Sequence, residues 1–324
     1  MRVVSSAIKA LTPTCIALGN FDGVHRGHQQ VIFPAVSQGR RSPVMIPAND
    51  INPLPDRPIP TVVTFDPHPR EFFSGNTKRL LTPLPEKIQA LEQLGVEQLV
   101  LLPFDRELAS LTPEEFVVQV LIQQLQTQTV SIGMDFCFGR DRSGSATDLK
   151  AIAARYEVDV AIAPLYQEND QRISSSAIRE ALIHGELHHA NTLLGRPFSL
   201  QGTVIKGQQL GRTIGFPTAN LDIPSTKFLP KYGVYGVQVQ RENLKEAQWG
   251  ILNIGCRPTV DSAASNPTIE VYLFDFAQDI YGENLSLKLL HYLRPEQKFA
   301  SIQALKEQIQ RDCDQTQQLL QLTS

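Results

Sequence analysis

The chain has one tryptophan, three methionines and four cysteines in 324 residues. Cys15, Cys137, Cys256 and Cys313 lie far apart, with no CxxC pair and no metal-ligand spacing. That excludes a zinc module and leaves them as small buried hydrophobes of a reducing compartment. Charge of one sign is equally scarce: 30 basic against 33 acidic residues give a net charge of -3, which offers no electrostatic case for a nucleic-acid partner. Long apolar runs are missing too. The longest, Leu99 to Phe104, is strand-sized, and Arg2, Lys9 and Pro13 interrupt the first 20 residues. Neither a membrane span nor a signal-peptide core can be drawn, so a soluble, cytoplasmic protein with no membrane partner is expected. Nothing in the sequence speaks to oligomeric state.

What is present divides into two textures. A chain of this length is about twice the usual domain size, so two domains are expected. In the first, TCIALG, TVVTFD, QLVLLPF, TVSIGMDF and VDVAIAPL alternate with helical patterns near 28–37, 84–94, 113–126 and 146–156, and SSSAIREALIHGE opens as a capped helix. Strands alternating with helices predict an open α/β domain with a parallel sheet. After Gly185 come Gly- and Pro-punctuated strands: FSLQGTVIKG, GVYGVQVQ, QWGILNIG, TIEVYLFDF and LSLKLLHYL. These predict a small antiparallel β-barrel, closed by a helix carrying Phe299, Ile302, Leu305 and Ile309. The junction is expected near Gly185 to Pro197, giving domains 1–187 and 188–324. Residues 39–60, with six prolines, read as an irregular surface insertion.

The stretch ALGNFDGVHRGH, residues 17–28, holds the densest cluster of special residues. It follows a strand, and a helix is expected from near Arg26. His25 and His28 therefore stand where helix amides and the positive end of the dipole point outward. Gly23 and Gly27 allow a ligand close to the backbone, and both histidines can face one phosphate. Downstream, Ser174 to Ser176 read either as helix caps or as phosphate ligands, and Arg179 either as a solvated charge or as a phosphate partner.

The HxGH spacing behind a strand, followed by ISSSAIR, is similar to the signature of the nucleotidyltransferase superfamily. With TFDPHP and GMDFCFG it resembles, more narrowly, the adenylyltransferase half of the bacterial bifunctional riboflavin kinase/FMN adenylyltransferase (FAD synthetase) family. LLGRPFSLQGTVIKGQQLGRTIGFPTANL, PKYGVYGV, LNIGCRPT, FDFAQDIYG and YLRPEQKF resemble the kinase half. The resemblance leaves only the proline-rich insertion and the chain ends uncovered. It implies a Rossmann-like nucleotidyltransferase domain followed by a six-stranded riboflavin kinase barrel. The implied activity makes FMN from riboflavin and ATP, then FAD from FMN and a second ATP with release of pyrophosphate.

The resemblance also implies site residues. In the first domain His25, His28 and Arg179 stabilise charge, and Gly19, Asn20, Phe21, Gly23, Asp135, Arg172, Ser175 and Ser176 surround ATP. Phe65, Asp66, Pro67 and Pro69 lie on the flavin side. In the second domain Gly202, Gly207, Gly211 and Gly215 form the ATP loop, Thr218 and Asn220 hold Mg²⁺, and Glu270 is the base. Arg294 is implied to ride on a loop over the flavin. Taken alone, PTAN is a plausible turn and Glu270 a solvated strand residue sharing a face with Thr268, Tyr272 and Phe274. Asp135 replaces the Asn of some relatives and Tyr272 the His of many. Two other readings stay open: only one activity is retained, or the protein is a flavin-binding sensor or carrier without turnover.

Overall fold

Short runs that are apolar on both faces form strands covered on both sides. Here TCIALG and TVVTFD become the two central strands of a six-stranded sheet. The computed structural model describes residues 1–39, 57–168, 171–207, 211, 214–241, 246–256 and 267–321. The chain separates into two units, Met1–Ser175 and Ser176–Ser324.

The first unit carries strands β1 (Arg2–Val4), β2 (Thr14–Leu18), β3 (Ile59–Asp66), β4 (Gln98–Pro103), β5 (Thr127–Gly133) and β6 (Asp159–Ala163). All pair in parallel, in the order β1-β4-β3-β2-β5-β6. A two-stranded ribbon, β7 (Gln167–Glu168) and β8 (Gln171–Arg172), follows. The helices are α1 (Arg26–Gly39), α2 (Pro69–Ser74), α3 (Leu84–Gln93), α4 (Arg106–Ser110), α5 (Pro113–Glu115, running on with π-type bonding over Phe116–Gln124) and α6 (Ala146–Ala154).

Alternate residues of β2 feed opposite cores. Ile16 and Leu18 pack with Val117, Leu121 and Leu149, whereas Cys15 and Ala17 pack with Ile32, Ala35 and Leu91. From β2 the chain runs to β3 on one side, while β5 lies on the other. The carboxyl ends of β2 and β5 therefore flank the point where strand order reverses, the place where open α/β sheets bind ligands.

The second unit is a closed antiparallel barrel of β9 (Phe198–Ile205), β10 (Thr218–Asp222), β11 (Gly233–Arg241), β12 (Gln248–Cys256), β13 (Pro267–Leu273) and β14 (Asn284–Arg294). Helices α7 (Ser175–His184), whose first residue closes the first unit, and α8 (Leu187–Leu194) precede it, and α9 (Ile302–Gln321) follows. Lys231 N donates to Leu182 O at 2.9 Å, and Asn191 bonds the backbone of Phe198 and Leu289 at 2.7 and 3.0 Å. These bonds tie α7 and α8 to the barrel, so the geometric division falls ahead of the junction drawn from composition.

Some expectations need correction. Ile59 and Pro60 already belong to β3, and the rest of the insertion, residues 40–56, lies outside the described residues. Phe299 precedes α9 instead of riding on it. Cys15 and Cys313 are buried as expected, but Cys137 and Cys256 are exposed. Among the described residues no helix is long and apolar enough to cross a membrane.

Candidate functional site

The loop from Gly19 to His25 leaves the end of β2 at the switch point and enters α1 at Arg26. Its path is strained. Phe21 and Val24 take left-handed φ values of 49° and 44°, and Gly23 lies at 100°. Each such non-glycine residue costs on the order of 1–3 kcal/mol and persists only where its surroundings dictate it. Here they do: Phe21 and Val24 are buried in the core with Ala90 and Leu91. Thr64 Oγ1 and Lys87 Nζ both donate to Asn20 O, at 3.3 and 2.9 Å. Gly23 N donates to Thr82 Oγ1 at 2.9 Å, and Ser175 Oγ donates to Asp22 O at 2.7 Å. The buried Asp22 carboxylate accepts from Leu81 N at 2.8 Å and lies 3.8 Å from Lys78 Nζ.

The product of this scaffold is a histidine pair. The His25 and His28 rings stack 3.5 Å apart at 15°, and His28 N donates to His25 Nδ1 at 3.2 Å. An accepting Nδ1 places the ring proton of His25 on Nε2, which makes that atom a donor. A Cβ on Gly27 would lie 3.2 Å from the His25 ring, so the helix start passes close to it.

Two other carboxyl-end loops carry the remaining expected residues of this unit. Asp66 ends β3, and Pro67 and Pro69 follow it at the carboxyl end of the sheet, where Phe104 N donates to Asp66 O at 3.0 Å. His68 caps α2, accepting from Arg70 N at 3.1 Å. Burial, reinforced by the Lys78 charge, pushes its pKa down to about 4. Phe65, Phe72, Phe73 and Phe104 form an edge-to-face aromatic group beside this turn, and Phe73 is 72% exposed. Beyond β5, Asp135 is ion-paired with Arg172. Ser176 and Arg179 belong to the second unit, where the Arg179 guanidinium lies 5.6 Å from the Phe228 ring centre.

In the barrel, register gathers what sequence separates. Asn220 of β10 and Asn253 of β12 both pair with Glu270 of β13, and Thr218 pairs with Tyr272. Ile269, Val271 and Leu273 turn inward and are buried, which leaves Glu270 on the outer face as alternation requires. Thr218 Oγ1 donates to Glu270 Oε2 at 3.2 Å. A Cβ on Gly207 would come within 2.2 Å of the Asn220 amide, and one on Gly211 within 2.2 Å of Phe216 O, so both glycines are required by space. Gly202 plays a different part: it lets β9 pass Asp222 O, 2.5 Å from its would-be Cβ. Gly215 stands at φ 92° in open space.

Arg294 is the last residue of β14 and not part of a loop. Its guanidinium bonds the buried Asp312 carboxylate of α9 twice, at 2.8 and 3.0 Å, and lies 5.8 Å from the Phe299 ring centre. Among the described residues no group of three or more His, Cys, Asp or Glu could hold a metal ion. The Thr218 hydroxyl, Asn220 amide and Glu270 carboxylate are instead hard oxygen donors on one face, the set that suits Mg²⁺.

The FAD synthetase family model matches residues 7–177, and the riboflavin kinase model residues 194–320. The chain belongs to the bifunctional riboflavin kinase/FMN adenylyltransferase family. A member from Escherichia coli strain K12 is 38% identical over 316 residues, covering 96% of this chain and 95% of that one. One from Bacillus subtilis strain 168 is 38% identical over 304 residues, covering 92% and 89%. A crystal structure from Streptococcus pneumoniae, described as a macrolide-efflux protein, is 31% identical, covers 97% of this chain and 98% of its own, and gives a TM-score of 0.81.

Of Lys87, Thr64 and Thr82, which hold the histidine loop in place, the motifs quoted above contain only Thr64, the first residue of TFDPHP. All three are buried around the loop, and Phe72, Phe73 and Phe104 join Phe65 beside the DPHP turn. One signal was available: Lys87 shares an i, i+3, i+4 stripe with the buried Ala90 and Leu91, and a lysine on an apolar stripe calls for a partner.

Proposed function

We propose that this chain makes FMN and then FAD in two ATP-dependent steps, the first on the barrel and the second on the parallel sheet. ATP, riboflavin and FMN are its substrates. The observation that carries the reading is the presence, in one chain, of the strained histidine loop and the Glu270–Thr218–Asn220 cluster.

On the barrel the riboflavin 5′-hydroxyl attacks the γ-phosphorus of ATP, the γ–β bridge breaks and ADP leaves. The hydroxyl is neutral, so its proton needs an acceptor, and Glu270 takes it. Thr218 donates to one Glu270 oxygen and so orients the carboxylate. Thr218 and Asn220 would hold Mg²⁺, which would supply neutralisation of phosphate charge. Gly207 and Gly211 keep side chains away from the Asn220 amide and Phe216 O, which leaves room there for the phosphates.

On the sheet an FMN phosphate oxygen attacks the α-phosphorus of ATP and pyrophosphate leaves. That oxygen is already ionised, so no base is required, and the residues position and stabilise charge. His25 and His28 donate to the α-phosphate, and Arg179, Ser175 and Ser176 serve the departing phosphates. Asp135 and Arg172 flank the nucleotide. Phe65, Asp66, Pro67 and Pro69 receive the flavin, joined by the exposed face of Phe73. Arg294 contributes to flavin binding in the barrel while paired with Asp312. We place both steps in the cytoplasm, where ATP is supplied.

The test incubates purified protein with riboflavin, ATP and Mg²⁺ and separates the flavins. FMN and FAD are both expected. No flavin product overturns the reading, and FMN alone overturns its second step.

A further inference from the structure

We infer that Lys87, which lies outside the motifs quoted above, is a positioning residue for adenylyl transfer: it fixes the His25–His28 loop through the Asn20 carbonyl with a charged donor. The inference rests on the adenylyl-transfer reading given above.

Lys87 is buried on the inner stripe of α3, and its Nζ donates to Asn20 O at 2.9 Å. Burying an ammonium is expensive, and burial pushes its pKa down against the opposing pull of Asp22 and Asp66. Lys78 adds a like charge nearby. If neutralising Asp22 were its purpose, Lys87 would duplicate Lys78, which stands 3.8 Å from the Asp22 carboxylate. Its hydrogen bond instead goes to a neutral backbone carbonyl immediately before the left-handed Phe21.

That carbonyl is where force is needed. The loop returns through two left-handed non-glycine residues before reaching His25. Thr64 is the second donor to the same oxygen, at 3.3 Å, but it is neutral. A charged donor makes the stronger bond, and its field favours the negative charge that grows during transfer. Held this way, the loop need not reorganise when the phosphates reach their transition-state geometry, so the benefit falls on kcat more than on nucleotide binding.

The test compares the unsubstituted protein with Lys87→Met, Lys87→Arg and Thr64→Val. FAD formation is measured at saturating FMN, and kcat is expressed per adenylyl site, counted as the nonhydrolysable ATP analogue bound in excess of the one equivalent taken by the barrel. FMN formation by the other unit serves as the control in every variant. Lys87→Met should lose about ten- to a hundredfold in kcat per site with KM for ATP within about threefold. Lys87→Arg should recover most of that loss, and Thr64→Val should fall by about threefold. A residue that only supports the fold would lower the number of titrated sites and leave kcat per site unchanged; that result overturns the inference. If Lys87→Met yields no titratable sites, the other two variants decide. A fall in Thr64→Val with activity kept in Lys87→Arg supports it, and any other combination overturns it. Unsubstituted protein that binds the analogue yet forms no FAD overturns the adenylyl reading and this inference together.

Discussion

The two units handle the same nucleotide with opposite architectures. The proposed adenylyl site of the parallel sheet is built from a single stretch at one strand end, where a helix start, two histidines and strained backbone converge within ten residues, Gly19 to His28. The proposed kinase site of the barrel lies across strands: Asn220 and Glu270 are 50 positions apart in sequence and directly opposite in register. The chemistry differs in the same sense. A phosphate nucleophile arrives ionised and needs only donors, whereas a hydroxyl nucleophile needs a carboxylate, and the carboxylate stands in the barrel. A loop can aim backbone and ring N–H groups at an anion. A strand pair can hold a base at fixed spacing from two neutral oxygens.

Crossed substitutions test that contrast most sharply. Glu270→Gln keeps shape and removes the proton acceptor, so FMN formation should fall by about 10²–10⁴-fold while FAD formation from supplied FMN continues. His28→Ala should do the converse, with FAD formation reduced about 10²–10³-fold and FMN formation untouched. Separated flavin assays read both, and a loss of both activities from either change would break the division of labour. A third change separates stability instead of chemistry. Asp312→Asn leaves Arg294 without its carboxylate, so the barrel unit should lose about 3 kcal/mol, read as a lower denaturant midpoint for kinase activity. The adenylyl activity of the first unit should keep its midpoint.

How much of this was legible in the sequence follows from the same contrast. Contiguous features could be read: the β2 and β3 runs, the helix start at Arg26, and the long helices of the first unit fall within a few residues of their periodic patterns. The edge strand Arg2–Val4 and helices α2, α4 and α8 are too short to show a period, or are composed of mixed residues, and left no signal. Strand order could not be read, because parallel neighbours are chosen by packing and not by adjacency in the chain. In the site, His25 and His28 were visible as a motif, but Thr82 and Lys87, 57 and 62 positions beyond His25, reach the loop only through the fold. Arg294 shows the reverse failure: its place in a motif implied a loop over ligand, whereas the short path from the end of β14 to α9 commits it to Asp312.

The smallest expected effect also sets the units apart, through pH. His68 is held neutral in the folded first unit, its pKa pushed down to about 4 from the usual 6.5, chiefly by burial and then by the nearby Lys78 charge. Between those values the unfolded chain binds a proton that the folded unit refuses, so stability rises with pH across the window. The contribution is complete above about pH 6.5 and is lost as pH falls toward 4. Protonation of Nδ1 would also remove the acceptor that caps α2 at Arg70 N. His68→Asn keeps an acceptor at the cap and cannot titrate. Thermal unfolding of the first unit should therefore lose about 2–4 °C less in the variant than in the unsubstituted protein between pH 6.5 and 4.5, with the barrel transition equal in both. Equal acid losses in the two proteins would show that His68 is not the group that couples this turn to pH.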